Sequence, residues 1–269
     1  MCSFLIYFLA QCQNADINII NRKLKLRGPD KTNIVDINGY KFIHNLLHIT
    51  GTMTLQPFID NNIVALFNGE IYNYKELEQK TGKEYQSDGC CIIPSYLKYG
   101  RDFVKKLDGD FALALFDFTN NIVILSSDVF ATKPIWYGTK DGKLYASTFK
   151  TPLKDLGIHE PQKIKANETL IFDLTTGLII EKKDVYTFDL NQHKTTYDDW
   201  INAFELGIKK RTEHLQYPLF ICLSSGYDSG VIACVLNKLG IKYYTYTVMG
   251  IENADIMNQR FRNKKNKKI

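Results

Sequence analysis

The chain has 269 residues, of which 45% are apolar, and 34 Lys and Arg stand against 29 Asp and Glu for a net charge of +5. That is enough for a sizeable core in one large domain, or in one domain plus part of another. Six Lys or Arg and no acid fall in the last ten residues, Arg260 to Ile269, which leaves −1 on the rest and argues against a nucleic-acid-binding surface. The basic end itself reads as a solvated, disordered tail.

Ser3 to Ala10 (SFLIYFLA) is a short apolar run with no Lys or Arg before it, so it reads as a buried strand, Cys2–Leu9, and not as a leader. Further strands are expected at Tyr40–Ile49, Asn62–Phe67, Phe111–Phe118, Ile122–Ser127, Ile135–Tyr137 and Lys143–Ala146. Their continuous apolar runs imply burial on both faces or a helix-covered sheet. Asn73–Lys80 and Gly89–Tyr99 have helical length, although Pro94 interrupts the second. Thr119-Asn120-Asn121 joins two of the strands as a hairpin.

The pattern changes near residue 190. Thr196-x-x-Asp199 has the form of a capping box opening a helix to about Leu215, with Trp200, Ile201, Phe204 and Ile208 on one face. Pro218–Leu223 then reads as a strand, Ser224–Gly230 as a Ser/Gly turn, Val231–Leu239 as a helix and Tyr243–Val248 as a second strand. This is the order of a parallel α/β sheet. The expected division is therefore 1–190 and 191–269. No apolar stretch nears the ~20 residues of a membrane span. The six cysteines lack secreted-scaffold density and paired C-x-x-C spacing, so a cytoplasmic protein with reduced thiols is expected. His44 and His48 have no carboxylate or cysteine partner at ligand spacing and read as strand-face histidines, with no metal site; Cys90-Cys91 reads as helix packing.

Several residues point to amide chemistry. Removal of Met1 would leave Cys2 with a thiol and a free α-amine on one carbon, nucleophile and base together. Hydrolysing an amide also requires two donors for the tetrahedral oxyanion and anchors for the charged end of the substrate. In Phe67-Asn68-Gly69-Glu70, the Asn68 side chain and the Gly69 N–H are candidate donors at the end of a strand. Leu26-Arg27-Gly28-Pro29-Asp30 is a rigid turn, and Ser87-Asp88-Gly89 sets a carboxylate before a helix.

Taken in order, MC, LRGPD, FNGEIYNY, SD before a helix, LDGDFALALFD and SSDVFATKPIWY resemble the class II glutamine amidotransferases of the asparagine synthetase (glutamine-hydrolysing) type. The resemblance implies an α+β fold, an N-terminal-nucleophile αββα sandwich followed by the start of an α/β PP-loop (adenine nucleotide alpha hydrolase-like) domain. It assigns glutamine hydrolysis to Cys2, the oxyanion site to Asn68 and Gly69, and the glutamine α-amino group to Glu70 and Asp88. Leu223–Gly230 (LSSGYDSG) is similar to the family's pyrophosphate loop, with Ser224, Gly226, Asp228 and Ser229 matching. Small residues after a strand would aim N–H groups and a helix N-terminus at phosphate. The implied reaction uses ATP and Mg²⁺ to turn aspartate into asparagine with ammonia from glutamine.

The chain departs from the family's pattern at several points. Ser3-Phe4 replaces Gly-Ile after the cysteine. Leu46 stands where the family's HxRLSI segment has an arginine that grips the glutamine carboxylate, a bidentate contact leucine does not make. Either Arg27 substitutes, or glutamine binds weakly, or the acyl donor lacks that carboxylate. Val129 and Ala131 replace Arg and Gly; Ser225 replaces a glycine of the phosphate loop and Gly230 a serine. The family's synthetase domain continues well past its loop, whereas about 40 residues follow it here. A truncated or split synthetase with an incomplete ligase half is the expectation, a separate chain being one conceivable source of the rest. Alternative readings are an amidotransferase for a sugar or surface-glycan precursor, and a degenerate, non-catalytic subunit.

Overall fold

The computed structural model describes residues 2–12, 15–191 and 193–262; the basic tail beyond Arg262 lies outside the described residues. The chain divides into two compact units, Met1–Asp189 and Leu190–Ile269.

The first unit is built on two six-stranded antiparallel sheets. Its strands are β1 (Ser3–Phe8), β2 (Lys31–Ile37), β3 (Tyr40–Leu46), β4 (Phe58–Asp60), β5 (Ile63–Ile71), β6 (Gly109–Asp117), β7 (Ile122–Ser127), β8 (Trp136–Lys140), β9 (Lys143–Ser147), β10 (Gln162–Lys163), β11 (Glu168–Asp173) and β12 (Ile179–Asp184). Its helices are α1 (Ile17–Lys25), α2 (Tyr74–Thr81), α3 (Ile92–Tyr99) and α4 (Lys150–Asp155). One sheet runs β10-β8-β9-β1-β3-β2, the other β12-β11-β7-β6-β5-β4.

Strand alternation divides the side chains between two faces. Phe4 and Ile6 of β1 meet Val64 and Leu66 of β5, Ala112, Ala114 and Phe116 of β6, and Val123 and Leu125 of β7 in the core between the sheets. Leu5 and Tyr7 face the other way, onto Ile20 and Leu24 of α1 and Leu153 of α4. Phe67 and Leu113 pack on Tyr74 and Leu77 of α2 and Ile92 and Ile93 of α3. The layers are thus αββα, as expected, and the continuous apolar runs of β6 and β7 are buried on both faces.

Details differ from the sequence expectation. Helix α1 begins at Asp16, whose carboxylate accepts the Asn18 and Ile19 N–H groups. A 3₁₀ turn over Asp88–Cys91 precedes α3, so Pro94 falls in the first helical turn, where it removes no helical bond. Cys91 packs in the core rather than on a helix surface. All six cysteines are free thiols.

In the second unit α5 (Asp198–Thr212), β13 (Phe220–Cys222), α6 (Tyr227–Lys238), β14 (Tyr244–Tyr246) and α7 (Ala254–Arg262) follow one another. β13 and β14 pair in parallel, and Leu223, Ala233, Leu236, Tyr243 and Met257 form a small core. One expectation for α5 is corrected. No capping box forms: the Thr196 hydroxyl donates to the Asp198 carboxylate, and Tyr197 holds the N-cap without a side-chain bond. On its apolar face Trp200 stacks on Phe204 and is 62% exposed, while Ile208 packs against the small core. No helix among the described residues is long and apolar enough to cross a membrane.

Candidate active site

Cys2 immediately precedes β1 on the side that faces the inter-sheet core, and it is buried. Its thiol donates to the Leu47 carbonyl at 3.6 Å and accepts the Leu47 N–H at 3.4 Å. Burial pushes the thiol up to about 11, against the opposing effect of the Leu47 backbone bond. A group so placed is protected from casual ionisation and needs a local base to become a nucleophile.

A buried polar network fixes the start of this strand. Ser3 donates to the Leu24 carbonyl at 2.7 Å and accepts from Asn45 Nδ2 at 3.2 Å. Asn45 and Asn21 exchange amide bonds at 2.8 and 3.2 Å, and Thr32 donates to Asn45 Oδ1 at 2.8 Å. The Ser3 side chain, which replaces the expected glycine, is therefore fully used. Neither Asn21 nor Asn45 carries a sequence signal for this role, since their pairing is purely tertiary.

The strand expected to end at Phe67 continues to Ile71, so Asn68, Gly69 and Glu70 lie within β5 rather than beyond it. β5 pairs with β6 along its length, Asn68 opposite Ala112 and Gly69 opposite Phe111, but with β4 only over Ile63–Ala65. Past Ala65 the free edge is met by side chains: the Phe67 N–H donates to Gln56 Oε1 at 2.8 Å and the Ile71 N–H to Asp88 Oδ2 at 2.9 Å. Because alternate N–H groups of an antiparallel strand point to the same edge, the Gly69 N–H opens between these two. A Cβ at Gly69 would sit 2.1 Å from the Asp110 carbonyl oxygen, so the strand approaches β6 this closely only with glycine.

Asn68 shares its face with Val64 and Leu66 and so points between the sheets. Its side chain is fully buried, and neither Nδ2 nor Oδ1 has a hydrogen-bond partner. Native side chains rarely tolerate this, and such an orphan marks a site built for something else.

Cys2, Leu46, His48, Gly69, Glu70 and Asp88 line one cavity of about 30 Å³. Glu70 accepts the Thr50 hydroxyl at 2.6 Å. Burial raises the Glu70 carboxyl, while the Thr50 bond and the charge of Lys133 oppose the rise. Asp88 is raised well above the carboxylate range, first by burial and then by the nearby Glu70 charge. Two carboxyl groups thus face one small space, an arrangement a cationic ligand would stabilise. Arg27 is not part of that lining: its Nε donates to the Cys2 carbonyl at 3.1 Å and its guanidinium lies 5.4 Å over the Phe149 ring. His48 bonds the Gly51 carbonyl at 2.8 Å, whereas His44 is buried in β3. Among the described residues no three His, Cys, Asp or Glu gather to hold a metal. Thr50, Gln56 and Leu47 are the contributors without a sequence signal, because they act through position and backbone.

The second unit places Ser224, Gly226, Asp228 and Ser229 where β13 leads into α6. Ser224 and Ser229 hydroxyls meet at 2.8 Å, and the Gly226 N–H donates to Ser224 Oγ at 3.2 Å. The Ser225 N–H and hydroxyl both donate to the Glu252 carboxylate, which holds that carboxyl below its usual range. Arg260 donates to the Ser224 and Gly226 carbonyls. Asp228 instead lines an open apolar cleft of about 660 Å³ with Trp200, Phe204 and Tyr227.

A four-layer αββα sandwich with a cysteine at the head of a central strand and an unpaired amide on the facing sheet defines the N-terminal-nucleophile class of amide hydrolases. A family model described as "Glutamine amidotransferase domain" matches residues 1–186, and the chain belongs to that family. It is 30% identical over 241 residues to "Putative asparagine synthetase [glutamine-hydrolyzing] 1" of Methanocaldococcus jannaschii, covering 81% of this chain and 44% of that protein. It is 28% identical over 235 residues to the asparagine synthetase [glutamine-hydrolyzing] of Asparagus officinalis, covering 84% and 39%. The chain therefore spans about two fifths of the length of these curated relatives. Among solved structures, glutamine phosphoribosylpyrophosphate amidotransferase from B. subtilis shares the fold at a TM-score of 0.53 and 16% identity, over 96% of this chain and 70% of that one.

Proposed function

We propose that the first unit hydrolyses the side-chain amide of glutamine at Cys2 and releases ammonia for amide formation. The observation that carries this is the buried, unpartnered Asn68 amide beside the edge-facing Gly69 N–H, on the strand that shares a cavity with Cys2. With Met1 removed, the Cys2 α-amine takes the thiol proton and Sγ attacks the amide carbon. Asn68 Nδ2 and the Gly69 N–H hold the oxyanion, each such donor being worth roughly 2.7–4 kcal/mol. The amine returns its proton to the leaving nitrogen, ammonia departs, and water cleaves the γ-glutamyl thioester to glutamate.

Glu70 and Asp88 receive the α-ammonium group, whose charge opposes the upward shift of both carboxyls. Arg27, bonded to the Cys2 carbonyl, sets positive charge beside the nucleophile.

The acceptor proposed for the ammonia is aspartate, in keeping with the names of the relatives. Residues 191–269 would form the start of the synthetase domain, the rest coming from further residues on this or a separate chain. The Ser224–Ser229 loop fits a phosphate in kind, because its donors already hold an anion, the Glu252 carboxylate. ATP, with Mg²⁺, supplies the activation of the acceptor carboxylate. Ser224, Gly226, Asp228 and Ser229 are the residues of this chain that would meet its phosphates. We place the activity in the cytoplasm. Cys2-dependent release of glutamate and ammonia from glutamine is the direct test.

A further inference from the structure

Past Ala65, β5 has β6 on one side and no described strand on the other. The backbone of Phe67, immediately before Asn68, is nonetheless held on that open side. Its N–H donates to Gln56 Oε1 at 2.8 Å, and the His44 ring interacts with its backbone. Both side chains are buried, Gln56 at 2% and His44 at 1% exposure. Gln56 is itself pinned where Asn33 donates to its carbonyl at 3.0 Å, and His44 sits in β3 directly opposite Phe4 of β1. The two side chains thus stand in for the missing neighbouring strand at one residue. They come from the segment before β4 and from the sheet that carries Cys2.

We infer that His44 and Gln56 are positioning residues: together they fix the Phe67–Asn68–Gly69 backbone, and so the aim of the two oxyanion donors at the carbon attacked by Cys2. The inference rests on the glutamine-hydrolysis reading. Gln56 lines the cavity beside Cys2 and His44 does not, and neither exchanges a proton in the reaction. Gln56 supplies an acceptor and His44 a buried ring to the same peptide segment, so the segment neither slides along β6 nor tilts away from it. Positioning of this kind acts on the transition state, where donor placement matters most, and a displacement of 1 Å costs about 10²-fold.

The test compares kcat and KM for ammonia release from glutamine in Gln56→Leu and His44→Leu with their rescue variants. Gln56→Glu keeps an acceptor for the Phe67 N–H. His44→Asn keeps a polar side chain against the same backbone. Alkylation of Cys2 by iodoacetamide reports separately on the thiol. The expected result is a 10- to 100-fold fall in kcat for the leucine variants. KM and the Cys2 alkylation rate should stay within about threefold of wild type, kcat should return largely in Gln56→Glu and His44→Asn, and the double leucine variant should be no worse than about the poorer single one. If a leucine variant does not fold, its rescue variant decides: kcat within about threefold of wild type supports the inference, and a larger fall overturns it. Folded leucine variants with wild-type kcat, or with KM raised and kcat intact, overturn it as well. A wild-type protein that releases no ammonia overturns the glutamine reading, and this inference falls with it.

Discussion

Leu47 brackets the Cys2 sulfur with both of its backbone groups, its N–H at 3.4 Å and its carbonyl at 3.6 Å. The thiol is therefore held in place before any substrate arrives, and burial keeps it protonated up to about pH 11. Cys222 and Cys234 are exposed. Alkylation read by peptide mass spectrometry should modify these two first at pH 8, with the Cys2 rate still climbing above pH 10. A Cys2 rate that levels off near pH 8.5 would mean an unshifted thiol.

Asn68 should set stability against activity. Its amide is buried without partners, so Asn68→Leu removes two unsatisfied polar atoms at nearly constant volume. We expect a gain of about 1–2 kcal/mol in unfolding free energy, together with a fall of about 10²–10³ in kcat for glutamine hydrolysis. Denaturant unfolding and steady-state kinetics on the same preparation check both. A variant that loses stability would show that Asn68 is a structural residue.

Gly28 reaches β3 at its most crowded point: an added Cβ would lie 2.0 Å from the Asn45 carbonyl oxygen and 2.8 Å from the Leu46 nitrogen. Both atoms belong to the backbone that positions Cys2, so little can give way. Gly28→Ala should cost about 1–3 kcal/mol of stability, read as a lower denaturation midpoint at unchanged slope. Midpoints within error of each other would contradict the tight packing of this turn.

Asp88 gives a pH signature. Its folded-state value lies well above its ordinary 3.8, so between those two values the folded protein binds the more protons. Stability from this group is complete below pH 3.8 and declines as pH rises through the folded value. Asp88→Asn removes that decline. The variant should be increasingly more stable than wild type as pH rises above 4, while its KM for glutamine rises at least tenfold through loss of the ammonium partner. The buried His44, lowered to about 3, makes both proteins less stable as pH falls below 6.5, and it cancels in the difference. A stability difference independent of pH would contradict the account.

Much of the sandwich was legible in the sequence because β1, β3, β5, β6 and β7 are apolar runs buried on both faces. β2 and β12 were not, since KTNIVDI and IIEKKD lie on sheet edges and are mostly polar with no period-2 alternation. Helix α1 escaped notice because its Asn-rich segment buries only Ile20, Asn21 and Leu24. Cys2, Gly69, Glu70 and Asp88 were picked out by motif, and the fold gathers them around one cavity. The roles of Thr50, Gln56, Asn45 and Leu47 could not be read, because each depends on which strand edge is left open and which backbone group faces it. The α5 stripe was legible from its helical spacing: Trp200 stacks on Phe204, and Ile208 packs against the small core of the second unit.

The central claim is that Cys2 opens an amide with Asn68 and Gly69 holding the oxyanion. The most direct measurement is glutamate and ammonia release from glutamine by protein whose N-terminus is verified as Cys2, alongside Cys2→Ala. The account predicts equimolar glutamate and ammonia from the wild type and none above background from Cys2→Ala. Equal release from both, or none from a folded and correctly processed wild type, would contradict it.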